Sequence, residues 1–282
     1  MKNILIVNKQ EFEEKKKRFE NGGRQKMQVL SDFDRTITYG LDDTGEPAPS
    51  VISQLRSDIS YLGQTYFNEA HRLFDLYHPI EINPNVSLKE KKEKMSEWWR
   101  KHFDLISKSR LTRNLIKRVV KERPLQFRDG SLEFLSFLNE NAIPLVFMSA
   151  APGDMLVEYL KQNHLLFSNI YILANRYNFD KKGKAINVQE PIIHSFNKTE
   201  VTLDNTPIYK KIEKRKNVLL LGDGVSDIGM VEGFDYDALI KIGFLNENVN
   251  EQLELFKKNF DVVLLNDPDM SYVNKLIKEI VR

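Results

Sequence analysis

Two kinds of apolar pattern alternate along this chain. Short continuous apolar runs, bounded by small or polar residues, predict buried strands: one ending at Val29 and Leu30, then Ile143–Met148, Asn169–Ala174, Asn217–Leu221, Ala238–Ile242 and Val262–Leu265. Helices with one apolar side are predicted between and after them. Glu11–Arg24 stops at Asn21-Gly22-Gly23, and Ser131–Asn139 and Met155–Gln162 follow later. Tyr177–Val188 is polar with Lys182-Gly183 at its centre and reads as a β excursion. Residues 39–47, with Gly40, Gly45 and Pro47, read as a loop.

The stretch from Pro49 to Arg123 breaks this rhythm, because it is almost wholly helical in pattern. Val51, Ile52, Leu55 and Ile59 share one apolar face. Tyr66–Tyr77 places Ala70, Leu73, Phe74 and Tyr77 together, and Pro79 is expected to end that helix. Ile80–Pro84 should then be extended or turning, since each proline restricts the residue before it. Ser87 and Glu90 have capping-box spacing and open a helix through Trp98, Trp99 and Leu105; Leu111–Val120 gives another. The reading is an α/β fold, a Rossmann-like parallel sheet core with an inserted helical cap domain. Residues 1–48 would hold the N-terminal helix and first core strand, 49–124 the cap, and 125–282 the rest of the core.

Composition narrows the function classes. Hydrophobic residues make up 41% and charged residues 29% of 282, as in ordinary globular proteins. Lys+Arg 42 against Asp+Glu 40 leaves +2, so no overall field favours a nucleic-acid polymer or a membrane. The basic runs Lys15–Arg18 and Lys214–Lys216 read as solvated helix faces. With no cysteine, disulfides, thiolate zinc sites and cysteine nucleophiles are excluded. The apolar Ile4–Val7 is too short for a secretory segment, so a cytoplasmic location is expected; the chain is also expected to be a monomer.

The candidate chemistry lies where apolar strands end. Asp32 and Asp34 stand two apart after the first core strand, so continued extended backbone would face both carboxylates one way. Crowded carboxylates call for a cation, and hard oxygen ligands suit Mg²⁺. Two further strands end in Ser149–Asp154 and in Gly222–Asp227. In open parallel sheets the carboxyl ends of the strands share one rim, which would bring Asp32, Asp34, Ser149, Asp223 and Asp227 together. Asp-x-Asp-x-Thr after an apolar strand resembles the first motif of the haloacid dehalogenase-like phosphatases, in which the first Asp is the nucleophile and the second a general acid/base. On that assignment Asp32 attacks phosphorus and ligates metal. Asp34 protonates the leaving oxygen, Ser149 holds phosphate oxygens, and Asp223 with Asp227 completes the metal site. A cation must also offset the transferring group. Lys181, Lys182, Lys184, Lys198, Lys210 and Lys211 all lie in the interval where it belongs, and the spacing does not choose among them.

Longer pieces narrow the resemblance: Asp32–Thr36, Tyr77–Pro84 with its Pro-Ile-Glu, Met95–Trp99 with Glu-Trp-Trp, Phe147–Ala150 with Gly153-Asp154, Ile193–Lys198, Leu220–Asp223 with Asp227, and Lys241–Asn246. From Met27 onward the chain resembles the cytosolic 5′-nucleotidase III (pyrimidine 5′-nucleotidase) family of the haloacid dehalogenase-like superfamily. Residues 1–26 carry no catalytic motif. The resemblance implies Mg²⁺-dependent hydrolysis of nucleoside 5′-monophosphates (UMP and CMP, in some members 7-methyl-GMP), with some phosphotransfer. It implies metal binding at Asp32, Asp34 and Asp223, a phosphate loop at Ser149-Ala150, and Lys198 as the phosphate lysine. Glu81 is implied to contact the base. His102 departs from the family, which often has a substrate-contacting serine there. Trp98, Trp99, Tyr66 and Tyr77 are candidate stacking rings. The competing readings are a phosphotransferase on the same fold, a phosphatase for a non-nucleotide ester, and a binding module without turnover. The set Asp32, Asp34, Ser149, Lys198 and Asp223 argues against the last.

Overall fold

The computed structural model describes residues 3–83, 85–198, 207–232 and 235–281. Its strands are β1 (Ile4–Ile6), β2 (Met27–Ser31), β3 (Leu145–Pro152), β4 (Ile170–Asn175), β5 (Tyr177–Phe179), β6 (Ala185–Val188), β7 (Asn217–Gly222), β8 (Ala238–Leu245) and β9 (Val262–Leu265). Seven of them form one sheet in the order β1-β9-β8-β7-β2-β3-β4, and β5 pairs with β6 as a separate hairpin. β2 lies between β7 and β3 and runs parallel to both: Leu30 is opposite Leu220 on one side and Val146 on the other. A parallel strand covered on both faces has to be apolar throughout. Successive residues then serve opposite faces. Val29, Leu145, Leu219 and Leu221 enter one core, whereas Leu30, Val146, Val218 and Leu220 enter the other. Among the described strands of this sheet β1 alone is antiparallel, pairing with β9 at the edge. The Ile4–Val7 run thus supplies a strand that the sequence reading had not assigned.

The helices are α1 (Lys9–Lys26), α2 (Ile59–Leu62), α3 (Gln64–Ile82), α4 (Leu88–Lys108), α5 (Arg113–Glu122), α6 (Ser131–Glu140), α7 (Gly153–Gln162), α8 (Tyr209–Ile212), α9 (Val249–Asn259) and α10 (Ser271–Ile280). Phe12 and Phe19 of α1 pack with residues of α6, α7 and α10 in the first core; Phe256 of α9 belongs to the second. No described helix is long and apolar enough to cross a membrane.

The helices from α2 to α5 fill the interval between β2 and β3. Leu73 and Tyr77 of α3 meet Met95 and Trp98 of α4 in a small core of their own. The block rests on the β5–β6 hairpin, where Arg113 N–H donates to Gly183 O at 2.9 Å and Ala185 N–H to Leu111 O at 2.8 Å. Gly183, at φ 77°, makes that hairpin turn without the penalty a side chain would bring. Ser87 caps α4 as its spacing implied, accepting from Glu90 N–H at 3.2 Å.

Three local expectations are corrected. The apolar face of residues 51–59 is not one helix. A 3₁₀ turn over Ser53–Arg56 is followed by α2, and between them Asp58 caps the second by accepting from Ser60 N–H at 2.8 Å. Pro79 does not end α3, which continues to Ile82. The proline gives up the bond its N–H would make to the preceding turn, and Lys91 Nζ holds the turn beyond it by donating to Glu81 O at 2.8 Å. Asn83 leaves the helix in extended conformation, and Pro84 lies outside the described residues. Finally, Ser149–Pro152 is not a loop: β3 runs to Pro152, paired with β4 through an irregularity after Ser149.

Candidate active site

Because β7, β2 and β3 are neighbours and parallel, their carboxyl ends bring Asp223, Asp32 and Ser149 to one rim. Asp32 N–H still donates to Leu221 O at 3.0 Å, but the extended backbone stops at Ser31. Phe33 is fully buried edge-on to Phe127 and Phe147, and Ile37 N–H closes a turn onto Phe33 O at 3.0 Å. The ring between the two aspartates therefore anchors the turn in the core. Asp32 joins Asp223 and Asp227, one oxygen from each lying within 4.8 Å of the others. The Asp34 carboxylate does not join that group; its Oδ1 accepts from Val51 N–H at 2.9 Å, at the entrance to the helical block. Both aspartates nonetheless line one cavity, and the charge of Lys198 acts on each.

Asp227 comes from the 3₁₀ stretch Val225–Val231, and its Oδ2 accepts from Gly224 N–H at 3.0 Å. Gly222 makes room for it: a Cβ there would stand 2.5 Å from the Asp227 side chain. Lys198 lies between the carboxylates, donating to Asp32 Oδ1 and, at 2.7 Å, to Asp227 Oδ1. It alone among the candidate lysines ion-pairs with these aspartates within the described residues. Burial pushes the Asp32 carboxyl well up, against the pull of Lys198 and with added repulsion from Asp227 and Asp223. Burial, then Asp227, pushes Asp223 up to about 7. Burial pushes Asp34 up to about 6, opposed by the Val51 N–H.

A cavity of about 1060 Å³ opens above this rim. Ser149, Ala150 and Lys198 line its floor with the aspartates; Glu81, Trp98, Trp99 and His102 line the wall made by α3 and α4. Glu81 is held at both oxygens, by Ser195 Oγ–H at 2.5 Å and by His78 Nδ1 at 3.3 Å. Tyr66 and Tyr77 are buried outside the lining, whereas Phe74 and Phe196 are part of it.

His102 is buried, and its Nε2 shares a hydrogen bond of 3.1 Å with the Tyr66 hydroxyl. Burial, helped by the charge of Arg56, holds its pKa down at about 3. An unfolded chain titrates at the ordinary value of about 6.5 and takes up a proton that the folded chain refuses. Stability linked to His102 is therefore full above pH 6.5 and lost as pH falls toward 3. Urea midpoints at pH 7 and pH 5 should show it: His102→Gln is expected to reduce the acid-induced loss by about 2 kcal/mol. Equal losses in parent and variant would contradict the buried neutral imidazole.

The sequence reading missed Ser195, Arg56 and Arg128. Ser195 stood inside one of the pieces that carried the resemblance, but the two arginines had no signal. Arg128 is fully buried behind the turn, where Nε donates to Thr36 O at 2.9 Å and Nη2 to Arg35 O at 2.6 Å. It also pairs with Asp267 at 2.7 Å, whose carboxylate accepts from Gly40 N–H and Leu41 N–H, each at 2.9 Å.

The rim thus gathers three carboxylates around one buried lysine, and comparison with known proteins decides the family. The family model described as pyrimidine 5′-nucleotidase (UMPH-1) matches residues 36–281. The chain belongs to the cytosolic 5′-nucleotidase III family of haloacid dehalogenase-like enzymes. The 7-methylguanosine phosphate-specific 5′-nucleotidase A of Xenopus laevis is 35% identical over 268 residues, covering 95% of this chain and 92% of the relative. A crystal structure of cytosolic 5′-nucleotidase IIIB bound to cytidine superposes with a TM-score of 0.92 at 28% identity, covering 99% of this chain and 94% of the other. A substrate-bound phosphoserine phosphatase shares the fold alone, with a TM-score of 0.54 at 16% identity over 88% of this chain and 96% of its own. This member of the family is thus an enzyme, a 5′-nucleotidase of the phosphoric monoester hydrolases.

Proposed function

We propose that this nucleotidase hydrolyses nucleoside 5′-monophosphates, with UMP, CMP and 7-methyl-GMP as the candidate substrates, through an aspartyl-phosphate on Asp32. The observation that carries the reading is the buried Asp32–Lys198–Asp227 array at the floor of a cavity whose wall holds Glu81. Asp32 Oδ attacks phosphorus as the bond from phosphorus to the ribose 5′-oxygen breaks. The Asp34 carboxyl, which burial keeps partly protonated near neutrality, gives its proton to that oxygen. Asp34 then takes a proton from water as the water oxygen attacks phosphorus. The Asp32–phosphorus bond breaks, releasing inorganic phosphate. The Ser149 hydroxyl, the Ala150 N–H and the Lys198 ammonium hold the phosphate oxygens.

One ammonium cannot balance the carboxylates of Asp32, Asp223 and Asp227 gathered within 4.8 Å. Hard oxygen donors with that surplus charge suit Mg²⁺, with Asp34 assigned beside them. Mg²⁺ bound there would supply positive charge to the carboxylates and to the phosphate. In the wall, Glu81 accepts from ring N–H or exocyclic amine groups of the base. The indole rings of Trp98 and Trp99 line the same wall. His102 joins the same wall. We assign residues 49–124 as the cap over the site and the cytosol as its compartment.

Phosphate release from nucleoside 5′-monophosphates and from sugar and amino-acid phosphates, with Mg²⁺ or with EDTA, tests the reading. The expected result is release confined to nucleotides and abolished by EDTA. Release only from non-nucleotides would overturn the substrate assignment and leave the floor chemistry intact. Transfer to added nucleosides in place of release would instead identify a phosphotransferase.

A further inference from the structure

The cavity wall contains a charge that the catalytic reading does not use. Arg56, in the 3₁₀ turn Ser53–Arg56, is half-buried in that wall, and its guanidinium carbon lies 4.0 Å from the centre of the Phe74 ring. It makes no hydrogen bond or ion pair with a carboxylate among the described residues; the acid whose charge acts on it is the exposed Asp75. A guanidinium keeps its proton at any pH at which the enzyme works. Phe74 is engaged on other sides as well. His78 stacks with it at 4.6 Å and 16°, and Trp98 meets it at 6.0 Å and 61°. The carboxylate in the same wall, Glu81, already holds Ser195 and His78.

We infer that Arg56 is a specificity-determining residue that sets this site against positively charged bases, so that uracil and cytosine nucleotides are preferred to those of 7-methylguanine. The inference rests on the nucleotidase reading above and deepens it. A guanidinium lying on a ring turns a planar face and a fork of N–H donors toward the cavity. A neutral base stacks on such a plane, and its carbonyl oxygens accept from the fork. 7-Methylguanine carries a fixed positive charge on its imidazole ring. The Phe74 face that would attract that charge is taken by Arg56, and two like charges in one cavity repel. The family model is described for pyrimidine 5′-nucleotidase and a relative is named for 7-methylguanosine phosphate, so names within the family cover both kinds of base.

The test compares kcat/KM for CMP, UMP and 7-methyl-GMP in the parent, Arg56→Gln and Arg56→Lys. The parent should favour CMP and UMP. Arg56→Gln should raise the ratio of 7-methyl-GMP to CMP about tenfold, or about 1.4 kcal/mol, while Arg56→Lys, which keeps the charge, should move it by less than about threefold. A second readout needs no variant: guanosine should inhibit CMP hydrolysis by the parent more strongly than 7-methylguanosine does. A flat ratio in Arg56→Gln, equal changes in both variants, or tighter parent binding of 7-methylguanosine each overturns the inference while nucleotide hydrolysis persists. Hydrolysis of non-nucleotide esters alone would remove the nucleotidase reading, and the inference with it.

Discussion

Asp32→Asn is expected to lower kcat by about 10⁴-fold or more, the scale seen when a covalent nucleophile is removed from an otherwise intact site. The fold should survive. Asn has nearly the same volume, and its side-chain oxygen can still accept from Lys198, which keeps its pairing with Asp227. The thermal midpoint should hold or rise. Burial and the charges of Asp227 and Asp223 both oppose ionisation of Asp32, so the carboxylate is held against a standing electrostatic cost. Activity and stability should therefore move in opposite directions, the pattern expected where function keeps a strained charge. Steady-state phosphate release and a melting curve on one preparation decide the matter. A variant with parental turnover would remove Asp32 from the covalent role.

Lys198→Met is expected to fail on both counts. Losing the cation on the transferring group should cost about 10²–10³ in kcat. Stripping one partner from a buried ion pair should cost about 3–5 kcal/mol of stability, because Asp32 and Asp227 then lie side by side without their donor. The loss should depend on pH in a known sense. Without Lys198 the Asp32 carboxyl, already pushed up by burial, rises further, so the folded state binds more protons than the unfolded one and stability recovers as pH falls. The deficit, read from urea midpoints, should be smaller at pH 5 than at pH 8, and added Mg²⁺ should reduce it at pH 8. A deficit independent of both pH and Mg²⁺ would mean that Lys198 acts through packing and not through charge.

The sheet and its rim were legible because their signals are local. An apolar run followed by small and acidic residues marks a strand end, and three such runs fell on the adjacent strands β7, β2 and β3. The helical block was legible as an interruption of that rhythm. Lys198 was not legible from spacing: it lies 166 positions from Asp32, and no periodicity connects them. Resemblance alone singled it out. Alternation did carry through the first loop, since Phe33 is buried in the core while Asp32 and Asp34 on either side of it both line the cavity. Pro79 and Ser149–Pro152 were misread because tertiary partners, Lys91 for one and β4 for the other, outweighed local preference. Arg56 and Arg128 look like any surface arginine in the sequence. Their meaning comes from an aromatic face in one case and from backbone carbonyls of a distant turn in the other.

The Arg128 clamp also has a consequence for the order of assembly during translation. The turn that carries Asp34 is fastened by Arg128 and Asn246, and Gly40 is held by Asp267, 227 positions downstream. A nascent chain leaving the ribosome therefore exposes its Asp32–Thr36 segment long before the residues that fasten it exist. The contacts that fasten it can form only after Asp267 has been added to the chain.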